Sequence, residues 1–183
     1  VVAVRSNGTL LWSYKTGTVP VQGKAAVADI DGDGQLEVVV GAGSATANGG
    51  GIFVVSSTGQ LKCSFTDLNP EHPQGMYSSP AVGRLDPAQP TKMQIAVASF
   101  DFRFRVLRHD CSVWWQFGVS QYVVDSIWSS PSIVDLDRDG TLDIVIGADS
   151  NFHSLPGIIL PDGGMLRAMH GNGSGDLPGF PRL

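Results

Sequence analysis

The chain has 183 residues, of which 42% are hydrophobic and 16% charged, and it contains 23 Gly and 11 Pro. This hydrophobic content excludes a disordered chain, and the frequent Gly and Pro leave few windows that suit long helices. The net charge of -5 argues against a nucleic-acid partner, because phosphate binding needs clustered Lys and Arg. The apolar runs are too short to span a bilayer as helices, so no membrane span is predicted.

Two kinds of segment repeat along the chain. The first, an acidic loop followed by an apolar strand, covers residues 23–42 and 130–148, with a degenerate copy at 79–99. The second, a turn followed by a strand rich in aromatic residues, is assigned to residues 8–14, 59–65, 111–117 and 163–169. Both kinds recur in one frame, and the period is about 50 residues.

Each repeat carries four short apolar runs bounded by turn residues. Four strands per repeat, at a period of about 40 to 50 residues, is typical of β-propeller blades. The predicted fold is all-β, with about three and a half four-stranded antiparallel repeats. A β-sandwich stays possible, but it would not explain the fixed period.

We predict a single propeller segment made of one partial and three full blades. The half blade covers residues 1–15, the blades cover 24–66, 79–118 and 130–170, and a connector covers 171–183. Closed propellers usually have four to eight blades. The chain is therefore expected to be part of a longer polypeptide, or to associate with further copies through exposed sheet edges.

Two nine-residue loops have acidic side chains at positions 1, 3, 5 and 9: the first loop is residues 29–37 and the second loop is residues 135–143. Ca²⁺ takes six to eight oxygen ligands, and alternate residues of a tight loop can turn their carboxylates inward. Gly34 and Gly140 at position 6 allow the sharp turn that lets position 7 offer its backbone carbonyl. The pattern favours calcium over Mg²⁺, which prefers a small octahedral shell and keeps its waters.

Two alternatives to calcium exist for these loops. Asp and Gly favour β-turns even without a metal. An EF-hand would need Glu at position 12 and flanking helices, but position 12 is Val40 in the first loop and Ile146 in the second. Both are strand residues, so an EF-hand is not expected.

The corresponding loop of the middle repeat, residues 84–94, has lost most of its acidic side chains. Arg84 stands at position 1, and of the carboxylates only Asp86 remains. We expect Arg84 to pair with Asp86 as a salt bridge, and no metal to bind there.

The acidic loops, each followed by three apolar residues, Gly and Ala, resemble the FG-GAP (or VCBS-type) repeats of integrin α-chain propellers and their bacterial relatives. The resemblance covers nearly the whole chain and is weakest at residues 84–99. It implies a calcium-bearing β-propeller in an extracellular, cell-surface or periplasmic location. Carried over by position, the ligands of two Ca²⁺ ions are Asp29, Asp31, Asp33, Gln35, Glu37, Asp135, Asp137, Asp139, Thr141 and Asp143.

The resemblance also implies a role in adhesion, recognition or surface scaffolding, without catalysis by this chain. The expected partner is a protein or carbohydrate ligand at the cell surface or matrix, or further copies or blades of the same protein. The alternative is the propeller part of a secreted enzyme, either a quinoprotein that binds pyrroloquinoline quinone or a polysaccharide lyase. Residues 8–17 look like the tryptophan-docking segment of quinoproteins, but their pattern is also ordinary for an outer strand.

Charged residues outside the acidic loops also have predicted environments. Arg103, Arg105 and Arg108 alternate with apolar residues at strand period and are predicted to form a solvated strand face. Asp101 is expected on an exposed loop.

The two cysteines are predicted to be unpaired. Cys63 lies four residues past a turn glycine on an outermost strand, whereas Cys111 lies at the turn itself. This offset adds about 13 Å along a strand, and a disulfide needs Cα atoms within about 7 Å. An extracellular setting would favour oxidation if the geometry allowed it.

Overall fold

The computed structural model describes residues 1–44, 46–70, 73–117, 129–149, 163–180 and 182. Over these ranges the chain is all-β, with no helix. The strands are β1 (Val2–Val4), β2 (Leu10–Ser13), β3 (Ala26–Ala28), β4 (Glu37–Ala42), β5 (Gly51–Ser56), β6 (Leu61–Phe65), β7 (Ala81–Gly83), β8 (Gln94–Ala98), β9 (Phe104–Leu107), β10 (Val113–Phe117), β11 (Ser132–Val134), β12 (Asp143–Asp149) and β13 (Gly164–His170).

The strands form separate antiparallel sheets that follow one another along the chain. β3 to β6 make one four-stranded sheet and β7 to β10 make another, each with its strands in sequence order. A two-stranded sheet of β1 and β2 precedes them, and the sheet β11-β12-β13 follows. The all-β, propeller-like prediction is therefore confirmed, and within the described ranges the sheets do not close into a ring.

Consecutive sheets pack face to face. In β8, Ile95 and Val97 belong to the core shared with the preceding sheet, whereas Ala96 and Ala98 belong to the core shared with the following one. Successive side chains of a strand point to opposite faces, so a strand covered on both sides carries apolar residues on both faces. All five residues of β8 are buried.

The last two strands of each repeat are joined by equivalent turns. In each turn a backbone N–H donates to a carbonyl three residues earlier, and its donor residue has a left-handed backbone, with φ of 83°, 85°, 66° and 75°. These donor residues are Gly8, Gly59, Cys111 and Gly173. Cys111 thus stands where the other turns have glycine.

The position of Gly173 corrects the predicted alignment of the last repeat. Residues 163–169 were assigned to a fourth strand, but β13 pairs directly with β12, with Met169 opposite Ile144. It therefore takes the third place, as β5 does. Residues 175–180 and Arg182 then run along the outer edge of β13, where Leu177 N–H donates to the Ala168 carbonyl. Gly163 and Gly164 resemble a turn in sequence, which explains the misalignment.

Each outer strand contacts the turn of the next repeat at one equivalent position. Trp12 Nε1–H donates to the Ser57 carbonyl at 2.9 Å, and its side chain covers Gly59 so closely that a Cβ there would lie 2.8 Å from it. Trp115 Nε1–H donates to the Gly171 carbonyl at 3.0 Å, and its ring covers Gly173 in the same way. At two of the interfaces between consecutive repeats, a tryptophan of the outer strand therefore packs on a turn glycine of the next repeat.

At the remaining interface a disulfide between Cys63 and Cys111 takes the place of tryptophan on glycine. The two Cα atoms are 5.9 Å apart, so the prediction of two free thiols is wrong. The offset along the strand gave the wrong distance because the turn of one repeat packs onto the middle of the preceding outer strand. Such crossing follows from the twist between neighbouring sheets.

The predicted exposure of Asp101 and Arg105 is also wrong. Both side chains are 0% exposed and form a bidentate ion pair, in which Arg105 Nη1 donates to Asp101 Oδ1 at 2.9 Å. The guanidinium lies 5.1 Å from the centre of the Phe65 ring. Because β9 is covered on both faces, alternation along it does not create a solvated face.

Candidate metal centres

The first loop connects β3 to β4, and its carboxylates accept hydrogen bonds from its own backbone. Asp33 N–H donates to Asp29 Oδ1 at 3.1 Å and to Asp31 Oδ1 at 3.2 Å. Gly34 N–H donates to Asp29 Oδ2 at 3.0 Å, and Gln35 N–H donates to Asp33 Oδ1 at 2.8 Å. Asp side chains favour such local bonds, which is why this sequence leaves the strand and turns.

The second loop connects β11 to β12 and repeats three of the four hydrogen bonds of the first loop at the same positions. Asp139 N–H donates to Asp137 Oδ1 at 3.1 Å, Gly140 N–H to Asp135 Oδ2 at 3.1 Å, and Thr141 N–H to Asp139 Oδ1 at 2.7 Å. The Thr141 hydroxyl also donates to Asp139 and, with the Thr141 N–H, lowers the pKa of that carboxyl. The two loops therefore share one backbone conformation.

The side chain at position 9 closes both loops. Glu37 Oε2 accepts the Ile30 N–H at 3.0 Å, and Asp143 Oδ2 accepts the Leu136 N–H at 2.9 Å. Glu37 is 1% exposed and Asp143 is 0% exposed. Each carboxylate bonds the loop backbone through one of its two oxygens.

The middle repeat closes its loop with an amide in place of a carboxylate. Gln94, the first residue of β8, accepts the Leu85 N–H at 2.7 Å and the Asp86 N–H at 2.9 Å through Oε1. Its Nε2 is buried and has no hydrogen-bond partner among the described residues. Sequence reasoning missed Gln94 because this loop is two residues longer, although Gln94 begins its strand as Glu37 and Asp143 do.

The predicted salt bridge between Arg84 and Asp86 is wrong. These two described residues form no ion pair with each other. The Asp86 carboxylate instead accepts the Ala88 N–H at 3.0 Å and a Gln89 side-chain N–H at 3.2 Å. The expectation that no metal binds in this loop stays a prediction.

The second loop gathers carboxylate oxygens that lack partners. Single oxygens of Asp135, Asp137 and Asp143 lie within 4.8 Å of one another. Asp135 Oδ1 and Asp143 Oδ1 are buried and accept no hydrogen bond from any described residue. His170 Nδ1 lies 3.5 Å from Asp143 Oδ1, and His170 also groups with Asp137 and Asp139. Buried, unpaired oxygens of this kind fit a hard cation such as Ca²⁺.

The first loop gathers oxygens of Asp29, Asp31 and Asp33 in the same way, but an ammonium group lies against them. Lys62 Nζ is 2.5 Å from Asp31 Oδ2, 3.0 Å from Glu37 Oε1 and 3.3 Å from Asp33 Oδ2. These hydrogen bonds, with Asp31 the strongest, raise the pKa of Lys62, and the same bond lowers the pKa of Asp31. The sequence analysis missed Lys62 because it comes from β6, outside the loop.

The structure thus brings together the acidic members of the predicted ligand set within each loop. Gln35 and Thr141 lie at position 7, where their N–H groups donate to Asp33 and Asp139. That their carbonyls bind a metal stays a prediction. A cavity of about 260 Å³ beside the second loop is lined by Asp139, Thr141 and His170 among others, so solvent reaches this loop.

Comparison with known families identifies one repeat. Residues 23–55 match the family model of the FG-GAP repeat, a range that includes the first loop and β4. The chain therefore contains an FG-GAP repeat, and the resemblance predicted from the sequence is confirmed for it. FG-GAP repeats are typical of extracellular or surface proteins and are generally non-catalytic.

No curated protein matches the chain. Among the described residues there is no helix with the length and apolar character needed to cross a bilayer.

Proposed function

We propose that this chain, with its FG-GAP repeat, is a calcium-binding module of an extracellular, cell-surface or periplasmic β-propeller. Ca²⁺ at the two acidic loops stabilises the blades, and the module serves adhesion, recognition or scaffolding without catalysis of its own. Its partner is a protein or carbohydrate ligand, or further blades or copies of the same protein. One observation carries the calcium proposal: Asp143, 0% exposed, has an unpartnered oxygen within a group of three carboxylates.

The electrostatics of the second loop supports a bound cation. Carboxylates this close repel each other, and the repulsion is strongest where burial lowers the effective dielectric constant. The Leu136 N–H holds Asp143 in place through its other oxygen, so the free oxygen stays fixed at the group. A divalent cation, when bound, neutralises this charge and adds binding free energy to the folded state alone.

The disulfide supports a location outside the cytoplasm, because structural disulfides persist mainly in oxidising compartments. The tryptophan segment at residues 8–17 has a structural explanation in the contact of Trp12 with Ser57 and Gly59. That contact requires no quinone. We therefore favour the non-catalytic module over the propeller part of a quinoprotein or polysaccharide lyase.

Calcium titration of chelator-treated protein by calorimetry tests the proposal, and Asp137→Ala tests the second loop. We expect the variant to lower thermal stability only when calcium is present, because Asp137 contributes to binding. Saturation at 100 times Kd contributes about 2.7 kcal/mol per site, and this is the amount the variant should lose. Asp67→Ala, which removes an exposed carboxylate outside the loops, is the control.

Two results would contradict this proposal. One is the absence of heat on calcium addition to the wild-type chain. The other is equal destabilisation by Asp137→Ala in calcium and in chelator, which would mean that Asp137 acts only as a turn former through its bond to Asp139 N–H.

A further inference from the structure

The two acidic loops share a sequence pattern but differ in what lies against their carboxylates. At position 9, Asp143 Oδ1 of the second loop has no hydrogen-bond partner among the described residues. The corresponding oxygen of the first loop, Glu37 Oε1, is 3.0 Å from Lys62 Nζ. A permanently charged ammonium thus lies against the first loop, whereas the nearby basic nitrogen of the second loop is the imidazole Nδ1 of His170, 3.5 Å from Asp143 Oδ1.

The position of Lys62 follows from the shape of β6. The pairing of β6 with β5 shifts register between Val54 and Val55, which leaves Lys62 at a bulge. The next residue, Cys63, is bonded to Cys111 in the turn between β9 and β10 of the neighbouring sheet. The backbone next to Lys62 is therefore fixed by the pairing of β6 with β5 and by this disulfide. The Lys62 side chain is 31% exposed, which gives its ammonium a route to solvent.

A second lysine adds positive charge to the same loop. Lys92 Nζ donates to the backbone carbonyl of Asp31. Gly32 packs against the Thr91 carbonyl, where an added Cβ would lie only 2.7 Å away. The first loop is therefore held against the middle repeat by contacts that do not involve its carboxylates.

We propose that the Lys62 ammonium occupies the place of a metal ion among the carboxylates of the first loop, so that the two loops bind divalent cations with unequal affinity. As the concentration of the divalent cation rises, the second loop binds its ion first. The first loop fills only when the Lys62 ammonium leaves Asp31, Asp33 and Glu37, because the ammonium and a divalent cation compete for the same oxygens and repel each other. This inference rests on the proposed function, since it presupposes that the loops bind calcium.

Calorimetric calcium titrations of the chelator-treated full chain test the inference, with Lys62→Met compared to wild type. In wild type we expect one tight site and a second site about tenfold weaker, a ratio equivalent to about 1.4 kcal/mol. Lys62→Met should bring the weak site to the affinity of the tight one. Lys62→Arg keeps the charge and should keep the sites unequal. Lys15→Met, which removes an exposed lysine elsewhere, should behave as wild type.

Thermal unfolding in chelator supplies a readout that does not depend on calcium binding. There Lys62→Met should unfold at a lower temperature than Lys15→Met, because the buried Glu37 carboxylate loses its counter-charge. Calcium should remove this difference. Equal melting of the two variants in chelator would overturn the inference.

The titrations separate this inference from the proposed function. Two equal sites in wild type, or unchanged affinities in Lys62→Met, would overturn the role of Lys62 and leave calcium binding intact. No calcium binding in any variant would overturn the proposed function, and the order of filling with it.

Discussion

Replacing the disulfide by the tryptophan–glycine contact found at the other interfaces should keep part of the stability that the disulfide provides. Cys63 and Cys111 occupy the positions of tryptophan and turn glycine, as in the pair Trp115 and Gly173. Two double variants follow from this equivalence. Cys63→Ala with Cys111→Gly removes the link, and Cys63→Trp with Cys111→Gly rebuilds the contact in the other form.

The magnitude can be worked out from the loop that the disulfide closes. Its sequence separation of 48 residues corresponds to about 4 kcal/mol of lost chain entropy in the unfolded state. Cys111 has a φ of 66°, and placing glycine there recovers about 1 kcal/mol. We therefore expect the Ala/Gly variant to lose about 3 kcal/mol. Burial of the Trp side chain should return about 2 kcal/mol of this loss.

Urea unfolding with and without reductant measures these free energies. Reduction should destabilise wild type by a similar amount and leave both double variants unchanged. The reasoning would be refuted if reduction left the wild-type midpoint in place. It would also be refuted if the Trp/Gly variant were no more stable than the Ala/Gly variant, since the interfaces would then not be equivalent.

Two further predictions concern charged groups outside the acidic loops. Asp101→Asn should cost about 3 to 5 kcal/mol in urea unfolding, because it leaves the buried Arg105 guanidinium without a counter-charge; a loss no larger than that of the surface control Asp67→Asn would contradict this. The Ser112 hydroxyl and N–H lower the pKa of Asp110 from its ordinary 3.8, so this carboxylate stabilises its turn above pH 3.8 and the contribution is lost as the pH falls through the folded-state pKa. Asp110→Asn should flatten the acid limb of a plot of stability against pH, and an unchanged limb would show that the turn does not depend on this charge.

The features that sequence reasoning predicted well are those set by neighbouring residues. The acidic loops are predicted from the sequence because Asp, Gly and strand residues follow one another at fixed positions, and the bonds from their backbone N–H groups to their carboxylates are local. The four-stranded repeats were found for the same reason, since a hairpin is encoded over a short segment.

The features that it missed come from contacts between distant residues. Lys62 reaches the first loop from β6, and Cys63 meets Cys111 because sheets cross where they pack. Arg105 is buried because a second sheet covers its strand. The alternation of residues within that strand does not show that both faces are covered. Gln94 was not recognised as the counterpart of Glu37 and Asp143 because its loop is two residues longer, although all three are the first residue of a strand.

The two terminal atoms of the side chain at position 9 make separate contacts, and one of them alone closes the loop. One oxygen bonds the backbone N–H at position 2 in all three loops, whether it belongs to Glu37, Asp143 or Gln94. The other terminal atom differs: it meets the Lys62 ammonium in the first loop, lies 3.5 Å from His170 Nδ1 in the second, and is an amide nitrogen in the middle one. Under the proposed function, exchanging the carboxylate for an amide at this position would remove a cation ligand, while the connection between the strands keeps its shape.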